Sequence, residues 1–373
     1  MLSYWEQKNY LNYDLVVVGA GIVGLSTAIR YKEKFPQRSV LVMERGVFPT
    51  GASSRNAGFA CFGSLTEILD DLKYMSPEQV CGLVERRFRG LQAIRSVFGE
   101  KALDYHGFGG FELISEKELP ALEKIGNVNN LLRPIFGKDV FSIHKDPSVF
   151  GFGNKVKSVV VNAWEGELDS GKFIQALWET AAALQVKIIT GAEVEEVLLE
   201  EKKVVINHSL RGSISFSGFQ IAICTNAFTG KLFPELDIRP GRGLIMVSEK
   251  LKQPIPWKGS FHYDKGYVYF RNVENRLLIG GGRNMDFQGE NTVDFGTNPR
   301  IKAYLLDIIK DVIFPEQDLK IEMEWSGIMA FGPDKMPIVK LLSQDVGCAV
   351  RLGGMGVAIG WQTAGELVDL LSA

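Results

Sequence analysis

The sequence predicts an α/β protein whose two domains are interleaved along the chain. Its 373 residues exceed the length of one compact domain, since about 150 residues per domain is usual. A short apolar strand at residues 14–18 precedes a glycine-rich turn, a helix over 22–34 and a second strand at 39–43. These elements form one βαβ unit with parallel strands. The alternation stops after Gly46, and two domains interleaved in sequence fit the pattern of the chain better than two consecutive domains.

The rest of the chain alternates between helical and strand-like patterns. An amphipathic helical pattern runs from residue 65 to about 98 and breaks before Ser76-Pro77, because proline favours the first turn of a helix. Short apolar or alternating runs predict strands, at 110–114, 155–161, 186–189, 204–206, 213–216, 219–224, 267–271, 276–280, 320–328 and 347–352. Helical spacing predicts helices at 173–184, 299–312 and 357–371.

The composition excludes several classes of protein. Hydrophobic residues make up 46% and charged residues 23%, which is typical of a soluble globular chain. With 42 basic against 44 acidic residues, the chain lacks the basic surplus that nucleic-acid binding needs. The cysteines and histidines are dispersed without metal-ligand or disulfide spacing, which predicts no metal site and a cytoplasmic location. The apolar run from Leu15 is too short and too rich in glycine for a signal peptide or a membrane span.

A glycine fingerprint, GAGIVG, follows the first strand directly and opens the helix. In this motif the first glycine permits a tight turn, the second lets a pyrophosphate approach the backbone, and the third lets helix and strand pack closely. The helix N-terminus adds N–H groups and a partial positive charge. Glu44 lies twenty residues after Gly24, where a carboxylate can bind a ribose. The set predicts a Rossmann-like dinucleotide-binding domain. Its phosphate-binding candidates are Gly19, Gly21, Ile22, Val23 and Gly24.

Two further segments favour FAD over NAD. A nicotinamide domain would continue its βα alternation, whereas this chain enters residues 51–58 (GASSRNAG), which offer small residues and polar groups to a long ligand. Residues 353–356 (GGMG) again join a strand to a helix, whose N-terminus would stabilise the negative charge of a reduced flavin. We therefore predict that the two helix starts bind opposite ends of one FAD molecule. The alternatives are a flexible polar loop at the first segment and packing glycines at the second.

These segments, together with residues 166–172, 269–282 (YFRNVENRLLIGGG) and 325–337 (WSGIMAFGPDKMP), resemble the D-amino-acid oxidase superfamily of FAD-dependent oxidoreductases. Glycine oxidase and sarcosine oxidase are among its members, and the resemblance is greatest to its gamma-glutamylputrescine oxidase-like branch. The resemblance implies an FAD-binding domain from residues 1–75, 151–235 and 325–373. A substrate domain, built on a mostly antiparallel sheet, would comprise residues 76–150 and 236–324. The further cofactor-binding candidates are Arg45, Ala52, Ser53, Ser54, Arg55, Asn56, Ala57, Gly58, Val194, Thr225, Asn226, Gly327, Gly353, Gly354, Met355, Gly356 and Val357.

The resemblance also implies an activity. The enzyme would oxidise a primary or secondary amine, or an amino-acid derivative, to an imine by hydride transfer to flavin N5. Electrons would then pass to oxygen or another acceptor. Because the cofactor supplies the redox chemistry, the protein needs no nucleophile or catalytic triad. Two alternatives remain: an FAD-dependent hydroxy-acid dehydrogenase, and a flavin-binding protein with little turnover.

Several positions depart from the family pattern. Gly327 stands where sarcosine oxidase relatives attach FAD through a cysteine, and Arg55 stands where other relatives use a histidine, so we expect non-covalent FAD. Met329 stands where glycine oxidase-type enzymes place a carboxylate-binding arginine, and methionine cannot form that bidentate pair. Leu278 stands near the position of a lysine that assists oxygen reduction in sarcosine oxidases. Because Met329 cannot bind a carboxylate, we expect the substrate to be an amine, or an acid whose carboxylate is bound elsewhere.

The candidates for substrate binding and catalysis are Tyr269, Arg271 and Met329. Tyr267, Tyr269 and Arg271 alternate along one predicted strand and therefore share a face, which offers an aromatic wall and a cation. The alternative is a face packed on a helix, with Arg271 at its solvent edge. Further candidates, each with a structural role as its alternative, are Arg55, His106, His262 and Arg283.

Overall fold

The computed structural model describes residues 2–209, 212–315 and 317–373. Its strands are β1 (Asn12–Val18), β2 (Val40–Met43), β3 (Phe59–Ala60), β4 (Gly110–Ile114), β5 (Phe141–Ile143), β6 (Ser158–Asn162), β7 (Gly166–Glu167), β8 (Lys187–Ile189), β9 (Val194–Leu198), β10 (Lys203–His208), β11 (Gly212–Ile223), β12 (Arg239–Ser248), β13 (Ser260–Tyr263), β14 (Val268–Val273), β15 (Arg276–Gly281), β16 (Ile321–Phe331), β17 (Ile338–Ser343) and β18 (Val346–Val350). Its α-helices are α1 (Tyr4–Tyr10), α2 (Ile22–Lys34), α3 (Leu65–Asp71), α4 (Pro77–Phe98), α5 (Glu100–Leu103), α6 (Ile125–Phe136), α7 (Ser170–Ala183), α8 (Thr229–Leu232), α9 (Pro299–Ile308) and α10 (Gly356–Leu371). A π-helical turn, Ile309–Ile313, extends α9.

The chain divides into two discontinuous compact units. The first unit comprises Met1–Arg55, Ser170–Pro240 and Ile328–Ala373, and the second comprises Asn56–Asp169 and Gly241–Gly327. Residues 236–240, predicted for the substrate domain, lie in the first unit. Residues 56–75, 151–169 and 325–327, predicted for the FAD-binding domain, lie in the second unit. The reason is that β3 pairs with β7 within that unit, and α3 packs into a hydrophobic cluster with α4 and α6.

The first unit is built on a parallel sheet with strand order β18-β11-β1-β2-β8. Strand β17 pairs antiparallel with β18, while β9 and β10 form an antiparallel extension of β11. Leu15, Val16, Val17 and Val18 are all buried, as expected for a central strand covered on both faces. The carboxyl end of β1 leads directly into the glycine fingerprint, so the sheet positions that turn.

The second unit is built on an eight-stranded sheet in the order β16-β12-β15-β14-β13-β4-β6-β5. The pairings of β15 with β12 and β14, β14 with β13, and β6 with β4 and β5 are antiparallel, whereas β13 and β4 run parallel. One face carries the main hydrophobic core of this unit, in which Phe261 and Phe270 stack at 5.0 Å and α9 contributes Leu305. The predicted fold class, a Rossmann-like domain interleaved with a mostly antiparallel α+β domain, is confirmed.

Most predicted elements lie at or near their expected positions. Helix α2 has the predicted bounds, and α4 begins at Pro77 behind a Ser76 capping box. The two predicted strands at 213–216 and 219–224 form the single strand β11. Strand β14 begins at Val268, so Tyr267 precedes it and is more exposed than expected.

None of the described helices combines the length and the apolar sequence that a membrane span requires.

Candidate functional site

The first glycine turn joins β1 to α2 in a geometry that excludes side chains. Gly19 has φ of +103°, and a Cβ atom at this position would lie 2.8 Å from the carbonyl oxygen of Cys224. A Cβ atom at Gly24 would lie only 1.8 Å from the carbonyl oxygen of Gly19. The helix start therefore packs directly on the turn, and its first N–H groups have no intrahelical acceptor and can bind other partners.

Glu44 and Ser53 complete the surroundings of this turn. The buried Glu44 carboxylate accepts hydrogen bonds from the backbone N–H groups of Ala20 (3.1 Å) and Gly46 (3.0 Å). An ionised carboxylate offers about four acceptor positions, so it retains capacity for ribose hydroxyls. Ser53 Oγ accepts a hydrogen bond from the N–H of Ile22 at 3.0 Å. This contact brings residues 51–55 of the first unit to the N-terminus of α2.

The second glycine turn joins β18 to α10. Gly353 and Gly354 have φ of +58° and +82°, and the N–H of Gly353 donates to the carbonyl of Ala330 at 3.0 Å. A Cβ atom at Gly354 would lie 3.4 Å from Met329 Sδ, so the structure places Met329 beside this turn. Helix α10 begins at Gly356, and its N-terminus carries the positive end of the helix dipole. The turn therefore suits an electron-rich ligand group.

The two glycine turns lie within the same unit, and their helices pack on each other. A Cβ atom at Gly360, in the second turn of α10, would lie 2.6 Å from Ile22 Cγ2 at the start of α2. Between the turns lie Thr225 and Asn226: a Cβ atom at Gly19 would lie 3.6 Å from Thr225 Cα, and Asn226 Oδ1 accepts a hydrogen bond from the N–H of Arg351 at 3.1 Å. Two glycine turns at helix N-termini and a buried carboxylate, all in one unit, fit FAD.

The remaining cofactor candidates are distributed as follows. Arg45 places its guanidinium 3.6 Å from the centroid of the Phe228 ring, directly after Glu44. Val194 is half-buried at the start of β9, two residues after Ala192, whose N–H donates to the carbonyl of Glu44. Ser54 Oγ donates to the carbonyl of Pro49 at 2.7 Å. The half-buried residues Ala52 and Arg55 belong to the same turn, Met355 and Val357 flank Gly356, and Asn56, Ala57, Gly58 and Gly327 belong to the second unit.

In the second unit, one face of the sheet carries polar and aromatic side chains. Glu112, His262 and Tyr269 are direct neighbours across β4, β13 and β14, so their side chains point to the same face. The Phe59 ring contacts this row, with ring centroids 5.3 Å from His262 and 5.6 Å from Tyr269. Burial raises the pKa of Tyr269 to about 12, so its phenol stays protonated and can donate a hydrogen bond.

Arg271 is two residues after Tyr269 on the same face and is only 8% exposed. The expected alternative, a cation at the solvent edge, is therefore not what the structure shows. Its Nη1 lies 3.8 Å from Glu167 Oε2, too far for a hydrogen bond, and its Nε has no hydrogen-bond acceptor among the described residues. Burial lowers the pKa of Arg271, which Glu167 opposes only partly. A Cβ atom at Gly58 would lie 3.0 Å from Arg271 Nη2, so the cation lies against the end of the GASSRNAG segment.

The remaining positions that the sequence singled out contact other side chains of the protein. The ring of His106 contacts Asp104 Oδ1 at 3.1 Å and is about half exposed. Arg283 lies 5.0 Å from the centroid of the Phe287 ring. Leu278 belongs to an apolar cluster of the second unit that also contains Ala57, Tyr269 and Trp325.

Buried carboxylates are the main feature of these surroundings that the sequence did not predict. Burial raises the pKa of Glu165 to about 8, even though its Oε1 accepts the N–H groups of Phe62 and Gly63. Its Oε2 lies 3.9 Å from Nε2 of buried His262, whose pKa burial lowers to about 4. The only local signal was the presence of two acidic residues, at 165 and 167, beside a glycine in residues 164–168 (WEGEL). Within the described ranges, no group of three His, Cys, Asp or Glu side chains could hold a metal ion.

Comparisons with known proteins place this fold in a family. Residues 14–370 match the family model DAO, described as FAD dependent oxidoreductase. The chain is 24% identical over 347 residues to the bifunctional protein ThiO/ThiG of Trichormus variabilis, covering 87% of this chain and 47% of that protein. The chain thus spans about half the length of the curated relatives it matches.

Among solved structures, glycine oxidase from Geobacillus kaustophilus superposes with a TM-score of 0.76 at 18% identity, covering 97% of this chain and 95% of that one. L-proline dehydrogenase from P. horikoshii superposes with a TM-score of 0.75 at 17% identity, covering 97% and 94%. At these identities the superpositions establish the fold, and the family match extends over nearly the whole chain. The chain therefore belongs to the DAO family of FAD-dependent oxidoreductases.

Proposed function

We propose that this chain binds FAD non-covalently and oxidises a primary or secondary amine, or an amino-acid derivative, to an imine. FAD, held by the two glycine turns and Glu44, would supply the oxidising chemistry as a two-electron acceptor for the substrate C–H bond, and oxygen or another acceptor would take those two electrons. The amine proton leaves to solvent, and the imine hydrolyses to a carbonyl compound. The names of the similar proteins, a glycine oxidase and a proline dehydrogenase, support an amino substrate.

The observation that carries this proposal is the position of Arg271 against Gly58. Arg271 belongs to the candidate substrate face, and Gly58 ends the segment that we expect to hold the flavin. Both residues lie in the second unit, so their contact connects the two predicted functions. A buried guanidinium that is incompletely paired is costly, because burial of a charge must be offset by hydrogen bonds. A substrate carboxylate would supply the acceptors that Arg271 lacks. Tyr269, protonated and half-buried beside it, would orient the substrate through ring contact and its hydroxyl.

Met329 affects where a substrate carboxylate can be bound. It lies beside Gly354 where a carboxylate-binding arginine was expected from the family pattern, and a thioether cannot bind an anion. We propose that a substrate carboxylate is not bound at Met329 and that Arg271, in the second unit, binds it.

The proposal is tested by anaerobic mixing of the purified yellow protein with amines, amino acids and hydroxy acids, each followed by loss of flavin absorbance. Reduction by an amino compound supports it. Reduction by hydroxy acids alone would establish the dehydrogenase alternative, and no reduction by any class would favour a flavin-binding protein without turnover.

Arg271→Gln provides the residue-level test. It should raise the KM of a carboxylate-bearing substrate about 10- to 100-fold, the loss expected for a charged hydrogen bond. Arg276→Gln is the matched control, because Arg276 on the neighbouring strand β15 binds the carbonyl of Ser248 and Glu322 instead. Equal KM values for the two variants would contradict the role of Arg271.

A further inference from the structure

Arg351 has a backbone conformation that is unfavourable for arginine. It is buried and has φ of +65°, in the left-handed region that glycine prefers, and it stands two residues before Gly353. This conformation costs a non-glycine residue on the order of 1 kcal/mol or more. The surrounding contacts must therefore hold Arg351 in place.

The Arg351 side chain forms hydrogen bonds to segments that are distant from it in the sequence. Its Nη2 donates to Asp334 Oδ1 (2.7 Å), its Nε to the carbonyl of Met336 (3.1 Å) and its Nη1 to the carbonyl of Asp237 (3.4 Å). Gly332 leaves room for the guanidinium, since a Cβ atom there would lie 2.3 Å from Nη1. Every nitrogen of the guanidinium group is thus bound within the protein, so Arg351 can influence a ligand only through the backbone that it holds.

The backbone of Arg351 connects the second glycine turn to the first. Its N–H donates to Asn226 Oδ1 at 3.1 Å, and Asn226 is itself left-handed, with φ of +47°. Asn226 follows Thr225, which lies against Gly19 of the fingerprint. Two strained residues joined by a hydrogen bond therefore lie between the two turns. Strain of this kind persists where the surrounding structure over-determines a site.

We propose that Arg351 is a positioning residue for the flavin end of the cofactor site, and that it sets the reduction potential of bound FAD. By fixing residues 351–354 relative to Asn226, it holds the N–H groups of the second glycine turn and of the α10 N-terminus in a fixed direction. Fixed dipoles stabilise developing negative charge because they need no reorganisation. The inference rests on the proposed function only in requiring that FAD binds at this turn.

The test compares the holoprotein with Arg351→Gly, Arg351→Lys, Asp334→Ala and Asp334→Asn. Glycine at position 351 removes the guanidinium while relieving the unfavourable φ, and lysine there keeps the charge but not the planar fork. Asp334→Asn keeps a hydrogen-bond acceptor that Asp334→Ala removes. Arg242→Lys is the control, because Arg242 forms a comparable bidentate pair with Glu290 in the second unit. The readouts are the midpoint potential of FAD, the dissociation constant of its sulfite adduct and the thermal midpoint.

We expect both Arg351 variants and Asp334→Ala to weaken sulfite binding about tenfold and to lower the potential by about 30 mV, the equivalent of tenfold for a two-electron couple. Asp334→Asn and Arg242→Lys should stay within about twofold of the parent protein, since the first keeps the acceptor and the second lies outside the turn. Unchanged potential and sulfite affinity in Arg351→Lys and Asp334→Ala, with FAD bound, would overturn the inference. If Arg351→Gly does not fold, these two variants decide the matter. A parent protein without FAD would instead refute the proposed function.

Discussion

Glu165 should make the stability of this protein fall as pH rises through neutrality. Its carboxyl group is buried in the second unit, bonded through Oε1 to the N–H groups of Phe62 (2.9 Å) and Gly63 (3.3 Å). Among the described residues no cation compensates its charge within hydrogen-bond distance, and Oε2 lies 3.9 Å from His262 Nε2. Burial therefore raises its pKa from 4.5 to about 8, against the effect of the two N–H groups.

The sign and the pH window follow from this shift. A carboxyl group whose pKa is higher in the folded than in the unfolded state stabilises the fold fully below its unfolded pKa, and this contribution is lost as pH rises to the folded value. For Glu165 the loss extends from about pH 4.5 to about pH 8. Glu112, with a pKa raised by burial to about 7, acts in the same direction over a lower range. His262 lowers the stability only below pH 6.5, where the unfolded chain binds a proton on this residue. In the folded protein burial lowers the pKa of His262 to about 4, so the folded state binds that proton less readily.

The interval from pH 7 to pH 8 reports mainly on Glu165, because most of the loss from Glu112 has already occurred near pH 7. We expect the free energy of unfolding to fall there by about 1 kcal/mol, since one proton per pH unit corresponds to about 1.4 kcal/mol. Glu165→Gln keeps an oxygen that accepts the two N–H groups but cannot ionise, so its stability should fall much less than that of the parent protein over this interval, with only the remaining Glu112 contribution. The measurement is urea denaturation followed by circular dichroism at pH 6, 7 and 8.

Glu116→Gln serves as the control, because Glu116 is exposed and should leave the slope unchanged. The reasoning fails if Glu165→Gln retains the slope of the parent protein, or if the parent protein shows none between pH 7 and pH 8.

Two further predictions concern the cofactor. Gly24→Ala should reduce FAD affinity at least about tenfold, because the added Cβ would lie 1.8 Å from the Gly19 carbonyl oxygen. Gly51→Ala is the control and should retain FAD, because its Cβ would meet no atom within 4 Å. The flavin absorbance of the purified variants distinguishes these results. Acid precipitation should release yellow colour into the supernatant, because Gly327 and Arg55 cannot attach FAD as cysteine or histidine would. A yellow pellet would contradict non-covalent binding.

The candidate cofactor site was predictable from local patterns in the sequence. The strand, the fingerprint and Glu44 are separated by few residues, and the spacing of a βαβ unit fixes their relative positions. For the same reason the period of two in a strand placed Tyr269 and Arg271 on one face. Tyr267 departs from this face because the chain turns through Asp264, Lys265 and Gly266, all with positive φ, and β14 begins only at Val268.

The Rossmann-like element, FAD, the family and the mostly antiparallel second sheet were all predictable before the fold was known, because each follows from short-range order or from a resemblance that extends along the chain. The fold was needed to show that Arg271 is buried beside Glu167, that Glu165 lies near His262, and that Arg351 binds both Asn226 and Asp334. Most of these pairs join residues about a hundred or more positions apart. Charge, burial and strain at such positions depend on which distant segments meet in the fold, and no local pattern of residues records that.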